Sequence, residues 1–227
     1  MQQEYDVRFR SYRIGGESFF IRSLSDTQQY VQPDPADVRP GISDANWGLF
    51  GVVWPSGQML ARLMSEQAIK GLRILEVGCG LGLASLVLQR RGADITASDH
   101  HPEMPNFLRN NTVLNDLDDI GTISGDWGGD GAGDGGDQAA GKFDLIIGSD
   151  LLYERGHHDQ LSAFIDRHAK PDASVIIVDP NRGHVGKFNR CMQELGYCCT
   201  EERAEAVLAD EEPYRGRILS YRRAALS

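Results

Sequence analysis

The stretch LRILEVGCGLGLASLVLQRRGADITASD, residues 72–99, decides the fold. Leu72–Val77 is an apolar run of the kind that forms a parallel strand buried on both faces. Leu81–Arg91 reads as a helix and Asp94–Ser98 as the next strand. Between the first strand and the helix lies Glu76-Val77-Gly78-Cys79-Gly80-Leu81-Gly82. Residues without a Cβ let backbone pass close to a ligand there, and the helix start offers free N–H groups and positive potential. Asp99 closes the following strand about 20 residues on, where an acid can accept hydrogen bonds from both hydroxyls of a ribose.

Outward from this core the alternation of strand and helix continues. Glu103–Asn115 is a helix, Ile120–Ser124 and Phe143–Gly148 are strands, and His157–His168 is a helix. Ser174–Val178, the helix Val185–Leu195, and strands at Tyr197–Glu201 and Arg217–Arg222 complete the series. Repeated β-α units imply an α/β fold, a doubly wound parallel sheet with right-handed crossovers. Upstream, residues 5–22 read as a hairpin turning at Gly15-Gly16. Residues 32–47 read as a proline-bearing loop, and Trp54-Pro55-Ser56 opens a helix with Leu60, Leu63, Met64 and Ala68 on its buried face. Residues 1–50 are expected to belong to the same domain as 51–227. The run Gly125–Gly141, and within it the insert 128–141, is rich in Gly and Asp, nearly free of apolar residues, and expected to be mobile.

Three details of the glycine turn choose its ligand. A dinucleotide fingerprint places a third small residue three positions after Gly80, and Leu83 stands there. A carboxylate at Glu76 is unfavourable beside a pyrophosphate but suits a cofactor bearing an ammonium group and a sulfonium. The turn also follows a hairpin and a helix, whereas dinucleotide folds often open with it. A methyl donor is favoured over NAD.

With Asp126-Trp127 after the third strand, these motifs resemble those of the class I S-adenosylmethionine-dependent methyltransferases. More narrowly, VVWPSGQMLARLM, LRILEVGCGLGLASLVLQRRGADITASDHHPEM and FDLIIGSDLLYERGHHDQL resemble the seven-β-strand protein-lysine methyltransferases (methyltransferase-like family 21, or methyltransferase family 16). The resemblance lies within residues 52–165 and implies a Rossmann-like seven-stranded sheet of order 3-2-1-4-5-7-6, the last strand antiparallel. It implies S-adenosyl-L-methionine as cofactor, with S-adenosyl-L-homocysteine as product. Around that cofactor it places Trp54, Gly78, Cys79, Gly80, Asp99, Trp127 and Ser149, and the motifs add Glu76, Gly82 and Asp126. Trp127 would lie beside the adenine, a role its flat π-face supports; otherwise it anchors the insert as a loop aromatic. Trp54 reads equally as a packing residue at a helix start.

Asp150-Leu151-Leu152-Tyr153 follows the fourth strand at the carboxyl edge of the sheet, where ligands bind in this architecture. In the family a D-x-x-Y motif there adjoins the acceptor amine, which makes Asp150 and Tyr153 the expected catalytic residues. Freeing a lysine amine of its proton at pH 7 costs about 4–5 kcal/mol, and desolvation and a nearby sulfonium both lower that cost. Asp150 would accept a hydrogen bond from the amine and Tyr153 would supply an aromatic wall; a helix N-cap is the competing role for Asp150. Enzymes that methylate base amino groups resemble one another in carrying Asn/Asp-Pro-Pro-Tyr/Phe here, and this chain has no such prolines. His100-His101 and His157-His158 read as solvated helix-start residues, and Arg182, after the fifth strand, as a reader of substrate backbone or carboxylate.

Bulk properties agree. The chain of 227 residues has a net charge of −10 and no basic, aromatic-interleaved stripe, which disfavours nucleic acid as a partner. Cys79, Cys191, Cys198 and Cys199 form no C-x-x-C pair, so no metal is expected and buried free thiols are. With no membrane-length apolar run and no secretory leader, a cytoplasmic monomer is expected. The expected function is N-methylation of a protein lysine. Methylation of a small-molecule amine or heteroaromatic nitrogen is the alternative, ahead of a nucleic-acid methyltransferase or a non-catalytic cofactor-binding module.

Overall fold

The computed structural model describes residues 5–26, 48–127, 141–153, 156–208 and 213–223. The segment expected as a loop, 32–47, and all but the last residue of the Gly/Asp-rich insert, 128–141, lie outside them.

Two strands, β1 (Val7–Ile14) and β2 (Glu17–Leu24), pair antiparallel about the Gly15-Gly16 turn. Helix α1 (Pro55–Glu66) follows, with Pro55 in its first turn. The main series is β3 (Arg73–Val77), α2 (Leu83–Arg90), β4 (Asp94–Asp99), α3 (Met104–Leu114), β5 (Gly121–Ser124) and β6 (Phe143–Ser149). It ends with α4 (His158–His168), β7 (Ala169–Asp179), α5 (Val185–Glu194), β8 (Tyr197–Val207) and β9 (Pro213–Arg223). The seven-stranded sheet runs β5-β4-β3-β6-β7-β9-β8. Counted from β3, that is 3-2-1-4-5-7-6, with β9 antiparallel to both neighbours.

Both faces of the sheet are covered, and strand alternation divides its side chains between them. Ile74, Leu145, Ile147, Ile176 and Val178 join the hairpin, α1, α2 and α3 in one core. Leu75, Val77, Ile146, Val175 and Ile177 join α4 and α5 in the other. Burial on both faces explains why the central strands read as apolar runs rather than alternating ones.

The hairpin is held by side-chain amides. Asn115 Oδ1 accepts the Phe20 N–H (2.8 Å) and its Nδ2 donates to the Phe20 carbonyl (2.7 Å). Asn111 Oδ1 accepts the Arg22 N–H at 2.8 Å. These two residues, one on α3 and one at its end, satisfy an edge of β2 that would otherwise be left unpaired beneath a helix.

Three expectations are corrected. Ala68 is exposed beyond the end of α1, because Gln67 is already extended. Cys198 is exposed on β8, so not all four free thiols are buried. His101 and His158 are buried, at 5% and 1% exposure, rather than solvated.

Candidate active site

The turn after β3 holds three glycines of positive φ, Gly78, Gly80 and Gly82. Gly80 has φ 54° and Gly82 φ 78°, the left-handed region that favours a residue without a Cβ. A Cβ on Gly82 would collide with Leu108 of α3, whereas one on Gly80 would project into open space. Gly82 therefore sets how closely the turn packs on α3, and Gly80 leaves room for a ligand. Asp99, at the end of β4, fixes the turn from the side: its Oδ2 accepts the Gly80 N–H at 2.8 Å and its Oδ1 the His101 N–H at 2.9 Å. Burial raises the Asp99 carboxyl above its usual value, with the backbone donors opposing.

A cavity of about 380 Å³ opens at this carboxyl edge of the sheet. The ends of β3, β4 and β5 bring Gly78, Gly80, Asp99, His100, Asp126 and Trp127 to it, and the segments after β6 and β7 bring Ser149, Asp150, Tyr153, His157 and Arg182. Trp127 meets His157 edge-on with ring centroids 6.3 Å apart. Trp54 and Phe50, from the segment entering α1, form part of its wall. Phe50 stacks on His101, with ring centroids 4.1 Å apart and planes within 2°. Burial drives the His101 imidazole down to about 3, so it is neutral. The Trp54 indole N–H is bonded to the Leu49 carbonyl at 3.0 Å, so this side chain both fixes the helix entry and walls the cavity.

Nine expected site residues thus converge on one cavity: Trp54, Gly78, Gly80, Asp99, Asp126, Trp127, Ser149, Asp150 and Tyr153. Glu76, Cys79 and Gly82 do not line it. The Glu76 carboxylate is buried behind the turn and takes the Ser85 hydroxyl hydrogen bond from α2. Burial pushes it up to about 7, against that hydrogen bond and assisted by the charge of Asp99. Cys79 spends its N–H on the Ser98 carbonyl (3.0 Å), and Gly82 spends its own on Cys79 (2.9 Å). These three build the turn from behind.

The surroundings of Asp150 rest on charged side chains. Asp150 has φ 55°, a left-handed conformation that Asp and Asn adopt more readily than bulky residues, and its N–H bonds the Val178 carbonyl at 2.9 Å. Among the described residues its carboxylate caps no helix, the N-cap of the following one being His157. It is gripped by Arg182 in a two-pronged pair, Nη1 to Oδ1 at 2.8 Å and Nη2 to Oδ2 at 3.1 Å. Burial raises the Asp150 carboxyl, Arg182 opposes, and the neighbouring Asp179 adds to the rise. Asp179 is itself 2% exposed and raised by burial. Tyr214 of β9 completes the surroundings, hydrogen-bonded to Ser56 of α1 at 3.1 Å and pushed up to about 12 mainly by burial. Sequence reading puts the loop Asp179–His184, Arg182 included, on the rim of the acceptor pocket, but misses the grip of Arg182 on Asp150, the Tyr214 hydroxyl and the Phe50–His101 stack.

The strand order, the glycine turn and the acids at the ends of β4 and β6 together define the fold of S-adenosylmethionine-dependent methyltransferases. The family described as lysine methyltransferase matches residues 43–192, and the chain belongs to it. Among its relatives is a histidine protein methyltransferase 1 homologue of Dictyostelium discoideum, 30% identical over 71% of this chain and 53% of that protein. Another is a calmodulin-lysine N-methyltransferase of Arabidopsis thaliana, 27% identical over 65% of this chain and 52% of the relative. The chain spans about half the length of the curated relatives it matches. A magnesium protoporphyrin IX methyltransferase from Synechocystis, solved with bound SAM, shares the fold, with TM-score 0.55, 20% identity, and coverage of 74% of this chain and 78% of that one.

Proposed function

We propose that this protein transfers a methyl group from S-adenosylmethionine to the side-chain amine of a lysine in a protein substrate. One observation carries the reading: a ribose-class acid, Asp99 at the end of β4, and a buried carboxylate, Asp150 after β6, line one cavity, with β3 and the open Gly80 turn between their strands. The residues present fit the cofactor. Asp99 lines the cavity with a carboxylate able to accept from ribose hydroxyls, Trp127 offers a flat ring, and the space over Gly80 accepts a chain that a side chain there would block.

When bound, S-adenosylmethionine supplies an electrophilic methyl group and departs as S-adenosylhomocysteine. Asp150 accepts a hydrogen bond from the acceptor nitrogen and aims its lone pair along the cavity. Leu151 and Tyr153, with Val52 and Phe50, withdraw the nitrogen from water, which lowers the cost of losing its proton. Alignment for in-line displacement contributes much of the rate. The expected setting is the cytoplasm, with the chain acting as a monomer. Among the described residues no helix is long and apolar enough to cross a membrane.

A histidine imidazole as acceptor is the second reading, favoured by the 30% identity to a histidine protein methyltransferase homologue. Incubation with isotopically labelled S-adenosylmethionine and size-fractionated host lysate tests both. Label on lysine in a protein band, absent with Asp150→Asn, supports the first; label on histidine supports the second. Label confined to small molecules refutes both.

A further inference from the structure

The Arg182–Asp150 pair occupies the place assigned to the acceptor amine. We propose that Arg182 is a specificity residue: its guanidinium stands in for the acceptor's charge, and only a cationic side chain can exchange with it at Asp150. This rests on the reading of Asp150 as the acceptor site.

The exchange follows from the charges facing Asp150. Its side chain is 10% exposed, and the buried Asp179 carboxylate at the end of β7 repels it. Arg217 of β9 acts on Asp179, the Tyr214 hydroxyl is bonded to Ser56, and the His157 ring lines the same end of the cavity. Withdrawing Arg182 without replacement would leave Asp150 without its cation beside a second buried carboxylate, a costly arrangement. An alkylammonium brings one positive charge and three N–H donors and can take over both carboxylate oxygens. A neutral imidazole or hydroxyl brings donors without the charge and leaves Arg182 in place.

Arg182 is built to leave. Its own side chain is 47% exposed, so solvent already hydrates one side of the guanidinium. It lies between Asn181 (φ 65°) and Gly183 (φ 88°), and the Asn181 N–H is tied to Asp179 Oδ1 at 2.7 Å. The loop root is therefore fixed while the long side chain can rotate outward. Once outside, it stands at the cavity mouth with its fork free for a carboxylate on the substrate.

The test uses the full chain at pH 8 with n-butylammonium as the cation and n-butanol as its uncharged isostere, binding being followed by ligand-observed NMR. Arg182→Ala and Arg182→Gln should bind n-butylammonium about tenfold tighter than wild type, through loss of a charge-assisted competitor. Arg182→Lys should restore wild-type affinity, and n-butanol should not distinguish the variants. Adding Asp150→Asn to Arg182→Ala should abolish the gain. Equal affinity in wild type and Arg182→Ala, no binding to Arg182→Ala, or an equal gain for n-butanol overturns the proposal. Circular dichroism melts of both Arg182 variants establish that they fold. Because the readout is binding, a failure of methyl transfer in lysate would appear separately, as absent label beside an intact exchange pattern.

Discussion

The two ends of the cavity are made from different materials. At the Asp99 end, backbone does the shaping: Gly80 and His101 N–H groups are fixed on one carboxylate, and the turn is closed by Gly82 against Leu108. At the Asp150 end, side chains do it: Asp150, Arg182, Asp179 and Tyr214 come from three separated segments and act on one another's charge. A backbone-built end keeps its geometry whatever its neighbours are, as suits a constant cofactor. An end built of opposed charges can be re-tuned by one substitution, as suits an acceptor that differs among relatives.

The largest expected effect strikes the backbone end. Gly80→Arg should fold, at a cost of about 1–2 kcal/mol for its left-handed backbone, yet fill the space over the turn. Calorimetric titration should find cofactor affinity lowered by roughly 1,000-fold or more, about 4 kcal/mol; unchanged affinity would break the assignment of that end. Next comes Asp150→Asn, which keeps the left-handed backbone. Label transfer should fall by roughly 100- to 1,000-fold while cofactor affinity stays within about threefold, showing the two ends to be separable.

Glu76→Gln sharpens the comparison further. The native carboxyl, held up to about 7, binds its proton more tightly than in the unfolded chain, where it titrates near 4.5. Its contribution to stability is therefore present below pH 4.5 and lost as pH rises through 7. The loss reaches about 3 kcal/mol, because each tenfold difference in proton affinity is worth about 1.36 kcal/mol. Thermal melts of Glu76→Gln should match wild type near pH 4.5 and exceed it at pH 8, with cofactor affinity nearly unchanged. A large loss of affinity instead would return Glu76 to the direct cofactor contact expected from sequence. The smallest effect belongs to Asn115→Ala, which orphans the Phe20 backbone groups. It should cost about 1–3 kcal/mol in chemical denaturation, without altering cofactor affinity at 25 °C.

The same division governs how much the sequence discloses. Gly80, Leu83 and Asp99 lie within one β-α-β unit, so local spacing conveys their roles, and the strand order follows from the family resemblance. The Arg182–Asp150 pair spans 32 positions and depends on how the end of β7 meets the end of β6. No periodicity reports that. Glu76 meets a related limit: its distance along the chain from the turn is legible, but the direction of its side chain, toward Ser85 of α2, is a packing outcome. His101 and His158 read as solvated because a histidine at a helix start usually is, and the Phe50 stack that buries the first comes from a segment 51 residues earlier.

The amide latch between α3 and β2 has a consequence for dynamics. With the Phe20 and Arg22 N–H groups bonded to Asn115 and Asn111, those two amides are expected to exchange only when the hairpin parts from the helix. Phe107 of that helix also meets Phe50 edge-on at 5.5 Å, and Phe50 walls the cavity. Exchange of those two strand amides with deuterated solvent is therefore expected to slow when the cavity is filled, if the packing of Phe107 on Phe50 couples the hairpin to the cavity wall.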